Sequence, residues 1–339
     1  MSRTEDGLGA LPTVTLTPFA YFPKGYFPEN LAVRADESVL ITAILQKELW
    51  WVPPATPGAV VEPVLVHTFE HPVTGIVEVA PEVFIVSLTE AYTTHESHLV
   101  RIDFAGWTPG TRVSPEVIYT FDDRVRGLNG SCLLGPNVLA IADCFAGLIW
   151  RVDLADDARS ATAQVWLEDD TMAFDPDSEL PPPPQPGING VRYGAHHGYL
   201  YYTSTAQKVF MRVPVDATTL EPAGPAQFVA AIDNADDFCL DEDAGFAYVT
   251  RHRANTVDRV PLTPRHGSEV RHIAGDPFDD TLVGPSSAAW GRGANDHGRI
   301  LFVTTDGGTT APPNGIARQA ALLRVELAYR AHPEVAQSS

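Results

Sequence analysis

Residues Ile188–Ser204 read INGVRYGAHHGYLYYTS. A polar residue, Asn189, follows the opening Ile188, a short mixed run comes next, a polar turn interrupts it, and an aromatic run closes on Thr-Ser. Apolar runs of four to eight residues between turn residues indicate strands, and two such runs across a short turn indicate a hairpin.

The same pattern occurs six times. The other openings are PENLAVRADESVLIT from Pro28, VTGIVEVAPEVFIVS from Val73, LNGSCLLGPNVLAIAD from Leu128, ADDFCLDEDAGFAYVT from Ala235 and PSSAAWGRGANDHGRILFVT from Pro285. Placing Glu29, Thr74, Asn129, Asn189, Asp236 and Ser286 in register gives steps of 45, 55, 60, 47 and 50 residues. A four-stranded propeller blade takes about 40 to 50 residues, so the chain holds six blades with long loops. The expected fold is an all-β, six-bladed β-propeller forming a single domain over 13–328, with a flexible N-terminus at 1–12 and a tail at 329–339. Thr13–Phe19 reads as a strand outside the six units and is expected to close the last blade. The longest insertion, Asp169–Pro186, contains four consecutive prolines that cannot pair as a central strand. It reads as a solvated linker between the third and fourth units in preference to a lid.

Composition narrows the function. The 339 residues carry 43 Asp and Glu against 23 Lys and Arg, a net charge of −20. That balance argues against nucleic acid and against anionic membrane surfaces, both of which need clustered basic residues. No apolar run is long enough to span a bilayer and no secretory leader precedes the first strand, so the expected location is cytoplasmic. Cys132, Cys144 and Cys239 lack metal-ligand spacing and are expected to be buried thiols. There is no glycine-rich phosphate loop, so neither nucleotide nor flavin is expected. Gly284-Pro-Ser-Ser is not a nucleophile elbow. The partner expected is a small, apolar or polycyclic molecule bound by a monomer or homodimer. His196-His197 is expected at a hairpin tip, and Trp50-Trp51 is expected to straddle one strand, with one ring between blades and one facing out.

In a propeller the innermost strand of each blade starts at one mouth of the axial channel. Glu29, Asn129, Asn189 and Asp236 are therefore expected to converge although they are distant in sequence. Two carboxylates and two amides form a hard oxygen set suited to one divalent cation, Ca²⁺ or Mg²⁺. The competing reading takes Asn129-Gly130 and Asn189-Gly190 as turn chemistry. Thr74, Tyr92, Phe145, Phe238, Ser286 and Trp290 are candidates for the pocket wall, although each aromatic is also a natural core residue.

The Glu-Asn of PENLAV, the LNG, the GING followed by YLYYTST, the ADDFCLD and the GPSSAAWGR resemble the senescence marker protein / gluconolactonase superfamily of six-bladed propellers. The resemblance runs from about Thr13 to Leu327. It implies that Glu29, Asn129, Asn189 and Asp236 hold one divalent cation in a lactonase, with Asp236 as the base. Around those positions the chain has Glu29-Asn30-Leu31 where the lactonases resemble Glu-Gly-Pro, and Ala235-Asp236-Asp237 where they show Pro-Asp-Gly. Their Arg-x-Asn substrate clamp appears as Arg126-Gly-Leu-Asn129, one residue longer. These details are similar to a fungal natural-product subgroup that includes hetero-Diels–Alderases. The first expectation is thus a cyclase joining a quinone methide to an alkene, with Asn30, Asn129 or Ser286 donating a hydrogen bond to the quinone-methide oxygen. A calcium-type lactone hydrolase is the alternative, and a non-catalytic scaffold with a structural cation is the third reading.

Overall fold

In the computed structural model the outermost strand of each blade is the least buried, which explains why some strands are apolar throughout and others alternate. The structure describes residues 11–176, 184–263, 270–278 and 280–329. The first strand, β1 (Thr13–Tyr21), belongs to the last sheet. Blade one follows as β2 (Pro28–Val33), β3 (Val39–Ala43), β4 (Glu48–Val52) and β5 (Val64–Thr68). Blade two is β6 (Val73–Ala80), β7 (Val83–Thr89), β8 (Ser97–Asp103) and β9 (Glu116–Thr120). Blade three is β10 (Leu128–Gly135), β11 (Val138–Asp143), β12 (Leu148–Leu154) and β13 (Ala161–Glu168). Blade four is β14 (Ile188–Gly194), β15 (Tyr199–Ser204), β16 (Val209–Pro214) and β17 (Gln227–Ala231). Blade five is β18 (Ala235–Asp241), β19 (Phe246–Arg251), β20 (Thr256–Pro261) and β21 (Arg271–Gly275). Blade six is β22 (Pro285–Trp290), β23 (Ile300–Thr305) and β24 (Ala321–Ala328), completed by β1 pairing antiparallel to β24.

Each blade is a four-stranded antiparallel sheet, and the ring closes through both ends of the chain. The second strands β3, β11 and β23 are buried at every residue, whereas the outermost β5 and β9 alternate with solvent. Apolar clusters fill the wedges between adjacent blades. In one, Leu134, Ile149 and Trp166 of blade three meet Val191, Tyr202 and Met211 of blade four. Trp50 packs on Phe22 and Tyr26, while Trp51 meets Trp107 at 5.7 Å. Both rings therefore engage neighbouring segments, and the expectation that one faces outward does not hold. All three cysteines are buried and free. Among the described residues no helix is long and apolar enough to cross a membrane.

The six sequence openings coincide with the six inner strands, and each inner strand is bulged at its second residue. Register slips between Pro28 and Asn30, Val73 and Ile76, Leu128 and Ser131, Ile188 and Val191, Ala235 and Phe238, and Pro285 and Ser287. A bulge leaves its extra residue outside the ladder and re-aims the side chain. The freed backbone groups are satisfied by hydroxyls from the second strand. Thr42 accepts from Asn30 N–H at 3.1 Å and donates to Thr74 O of the next blade at 2.6 Å. Thr203 accepts from Gly190 N–H and donates to Asp236 O, and Thr250 accepts from Asp237 N–H and donates to Ser286 O. The Thr that ends these strands in the sequence is thus a staple between blades.

Gly130 and Gly190 have a related cause. Neither is in a turn, because both lie inside inner strands. A Cβ on Gly130 would stand 2.7 Å from Asn189 O, and one on Gly190 would stand 2.8 Å from Asp237 Cα. Close approach of the next blade excludes any side chain, so the reading of Asn-Gly as turn chemistry is corrected here.

Candidate functional site

Five of the six bulge residues, Glu29, Thr74, Asn129, Asn189 and Asp236, line one axial cavity. The sixth, Ser286, is 1% exposed and donates to Pro28 O at 2.6 Å, so it pins blade six to blade one outside the cavity. Glu29, Asn129, Asn189 and Asp236 are all buried, at 4 to 8% exposure.

Burying two carboxylates together is costly unless they are neutralised. Burial, followed by repulsion from Asp236, Asp237 and Asp306, holds Glu29 well above the ordinary carboxylate range. Burial pushes Asp236 up to about 7, with Asp237 and Asp306 adding to it while His252 and a hydrogen bond with Asn189 oppose it. Asn189 Nδ2 donates to Thr205 Oγ1 at 3.1 Å, which fixes that amide. Asn129 Oδ1 is buried with no hydrogen-bond partner. An orphaned amide oxygen beside two mutually repelling carboxylates is short of one positive charge, and the donor set fits a hard divalent cation.

Tyr92 and Phe145 line the cavity as expected, with ring centroids 5.3 Å apart and Phe174 a further 5.4 Å beyond Phe145. Three other expectations are corrected. Phe238 is wholly buried between blades against Phe210 at 5.0 Å, beneath the Arg192 guanidinium. Trp290 lies at the far end of β22, donates to Leu240 O at 2.7 Å and packs on Tyr248. Asn30 is buried one position past the bulge, in a second polar layer where Ser287 donates to Asp237 at 2.6 Å. Arg126 donates to the carbonyls of Asp123 and Val125 and is absent from the wall.

The insertion is more than a linker. Pro184, Gln185 and Pro186 form part of the cavity wall, although 177–183, including three of the four prolines, lie outside the described residues. Gln185, with its amide oxygen turned toward Arg253, accepts from Nε at 2.9 Å and Nη2 at 3.0 Å. Arg253 itself lines the cavity, its guanidinium pulled below the usual value by burial. His252 lines it too, 3.2 Å from the buried Asp306 and stacked on Phe27. His252 and Arg253 sit in a short turn after β19, outside the repeat, so the periodic reading passed over them. The signal available was the Arg-His-Arg run at 251–253.

The fold and site together define a six-bladed propeller with a buried, acidic, oxygen-donor pocket on its axis. No protein-family model matches the chain, and no curated protein matches it. Solved structures do. Regucalcin from Agrobacterium tumefaciens, a calcium-binding protein, is 16% identical with a TM-score of 0.60, covering 94% of this chain and 98% of its own. A candidate gluconolactonase is 14% identical with a TM-score of 0.56, covering 92% and 98%. The PQQ-bound aldose sugar dehydrogenase of Streptomyces coelicolor is 12% identical with a TM-score of 0.58, covering 94% and 100%. At these identities the likeness is one of fold, and a fold hosts many functions.

Proposed function

We propose that the protein hydrolyses small lactones with an apolar body, using a divalent cation held by Glu29, Asn129, Asn189 and Asp236. The observation that carries this reading is the convergence of those four side chains in one cavity with the Asn129 oxygen unpartnered. The resemblance to regucalcin and a candidate gluconolactonase supports it.

A cation held there would act as a Lewis acid toward the lactone carbonyl. The protein's own groups account for the proton. Asp236, lining the same cavity, is placed to accept it from the attacking water. As the ring C–O bond breaks, the same proton passes from Asp236 to the departing alkoxide, so the carboxylate is regenerated. Against the opposing effect of burial, Asp306 and Asp236 displace the His252 pKa upward, which favours its charged form. Arg253 offers a cation for the carboxylate of the product. Phe27, Ile44, Leu45, Tyr92 and Phe145 form the apolar part of the wall and exclude water from the ring face.

That apolar wall also favours a second reading, the cyclase, in which the pocket orients a diene and an alkene and no nucleophile is needed. Initial rates on a lactone panel before and after exhaustive chelation separate the two. The hydrolase requires activity that chelator abolishes and Ca²⁺ restores. Lactone turnover that persists unchanged without metal overturns it.

A further inference from the structure

Blade two carries a second group of ligand atoms away from the axial quartet. His71 lies in the loop between β5 and β6, Glu96 immediately precedes β8, and His98 is the second residue of β8. One nitrogen from each imidazole and one Glu96 oxygen all lie within 4.8 Å of one another. His98 Nε2 is 3.2 Å from Glu96 Oε1, and His71 Nε2 is 3.9 Å from the same atom. Ligand atoms around a tetrahedral zinc ion, with bonds of about 2.0 to 2.1 Å, stand roughly 3.3 Å apart. Two of the three spacings, 3.2 and 3.9 Å, are thus close to those around a coordinated ion.

The other face of each ring is already engaged. His98 Nδ1 is 2.9 Å from Thr120 Oγ1, and His71 Nδ1 is 3.3 Å from Glu90 Oε1. Metal-bound histidines characteristically donate their second N–H to a carboxylate or another oxygen, which fixes the tautomer and the ring orientation. Here both Nδ1 atoms have such a partner and both Nε2 atoms point at Glu96. The side chains of His71 and His98 are 21% and 14% exposed and that of Glu96 is 52% exposed, so the site lies at the surface within reach of solvent. Lys47 Nζ, 3.4 Å from Glu90 Oε1, holds that carboxylate in place.

We propose that His71, Glu96 and His98 form a site for a borderline transition ion of the Zn²⁺ class, with an open coordination position and with Glu90 and Thr120 orienting the imidazoles. Nitrogen-rich donors select such ions, whereas Ca²⁺ takes oxygen, so this site and the axial one discriminate by chemistry. The site also braces a functional loop. Glu90 N–H donates to Glu96 O at 2.9 Å, closing a loop whose Ala91 and Tyr92 line the axial cavity. An ion on Glu96, with Glu90 behind His71, grips both ends of that loop.

The test is Co²⁺ absorption spectroscopy with competitive Zn²⁺ titration on the full chain, comparing the wild type with H71N/H98N. The wild type is expected to give the intense visible bands of four- or five-coordinate cobalt, displaced by Zn²⁺. The double variant is expected to lose those bands and at least about 100-fold in Zn²⁺ affinity, while the thermal shift produced by Ca²⁺ is retained. E90Q, which keeps all three ligands, is expected to lose about tenfold, as second-sphere partners typically do. If the double variant does not fold, H98Q alone gives the same readout. A wild-type spectrum identical to that of aqueous cobalt, or Zn²⁺ affinity unchanged by loss of the histidines, overturns the proposal.

Discussion

Asp306 Oδ2 lies 3.2 Å from His252 Nε2, with the carboxylate sealed from solvent and the imidazole stacked on Phe27. Burial alone would lower the imidazole pKa, but the fields of Asp306 and Asp236 outweigh it and the net displacement is upward. The charged form of the ring is therefore favoured relative to a free imidazole. Replacing His252 by Asn removes a charge that opposes the rise in the Asp236 pKa. The acidic limb of the kcat/KM profile is expected to move to higher pH, and an unmoved limb would separate His252 from the chemistry. Because Asp306 is left as an unpaired buried charge, denaturant unfolding should also show a loss of about 3 to 5 kcal/mol.

Stability should couple to pH and calcium in opposite directions. Glu29 and Asp236 have raised pKa values in the folded, ion-free protein, so that state binds more protons than the unfolded chain between the ordinary carboxylate range and about 7. Stability of the ion-free protein must then fall as pH rises through that window. Calcium needs both carboxylates ionised, so its affinity rises over the same interval. Thermal melts with and without Ca²⁺ should show a stabilising increment that grows from about pH 5 to about pH 8. An increment independent of pH would place calcium elsewhere.

The interblade staples carry their own prediction. Thr203→Val keeps the shape but leaves Gly190 N–H and the Asp236 carbonyl without the hydroxyl that joins them. Each stranded backbone group costs about 1 to 3 kcal/mol, and calcium affinity should fall because Asn189 and Asp236 flank the broken link. Gly190→Ala, whose Cβ would crowd Asp237, should destabilise by about 1 to 3 kcal/mol through overpacking. Chemical denaturation with calcium titration checks both. Wild-type values in the two variants would show that the staple is dispensable.

Much of this architecture was legible in the sequence because one template repeats. All six inner strands begin where the aligned openings begin, and the residue one place after Pro28 or Val73 falls in the register the alignment gives. What failed did so for local reasons. Asp236-Asp237 forms a bulge, so the ladder advances one residue too many and Phe238 turns into the wedge between blades, although simple alternation would point it at the axis. Trp290 is four residues along β22 from Ser286, roughly 13 Å at the usual strand rise, which carries it out of reach of the mouth. His252, Arg253 and Gln185 come from connections, where the repeat carries no information. The proline-rich insertion was read by composition, which cannot reveal that Pro184 and Pro186 pack into the wall.

Substrate shape should be read by the aromatic pair at the mouth. Tyr92 is 57% exposed and its ring meets Phe145 at 5.3 Å, leaving one face for a ligand. Losing an aromatic contact of about 1.4 kcal/mol is a tenfold change in binding. Tyr92→Ala is therefore expected to raise KM about tenfold for aryl- or alkyl-substituted lactones and to change it little for sugar lactones. Equal effects on both classes would mean that Tyr92 shapes the loop and does not meet substrate.

The most direct measurement is turnover of an aryl-substituted lactone by calcium-saturated Asp236→Asn beside the wild type, with folding of the variant verified by its circular dichroism and melting profile. If Asp236 accepts the proton from water, kcat should fall by about 10² to 10⁴, the usual contribution of general base catalysis, with KM much less affected. A folded variant that turns over the lactone at the wild-type rate would contradict Asp236 as the base and leave that carboxylate without a catalytic role.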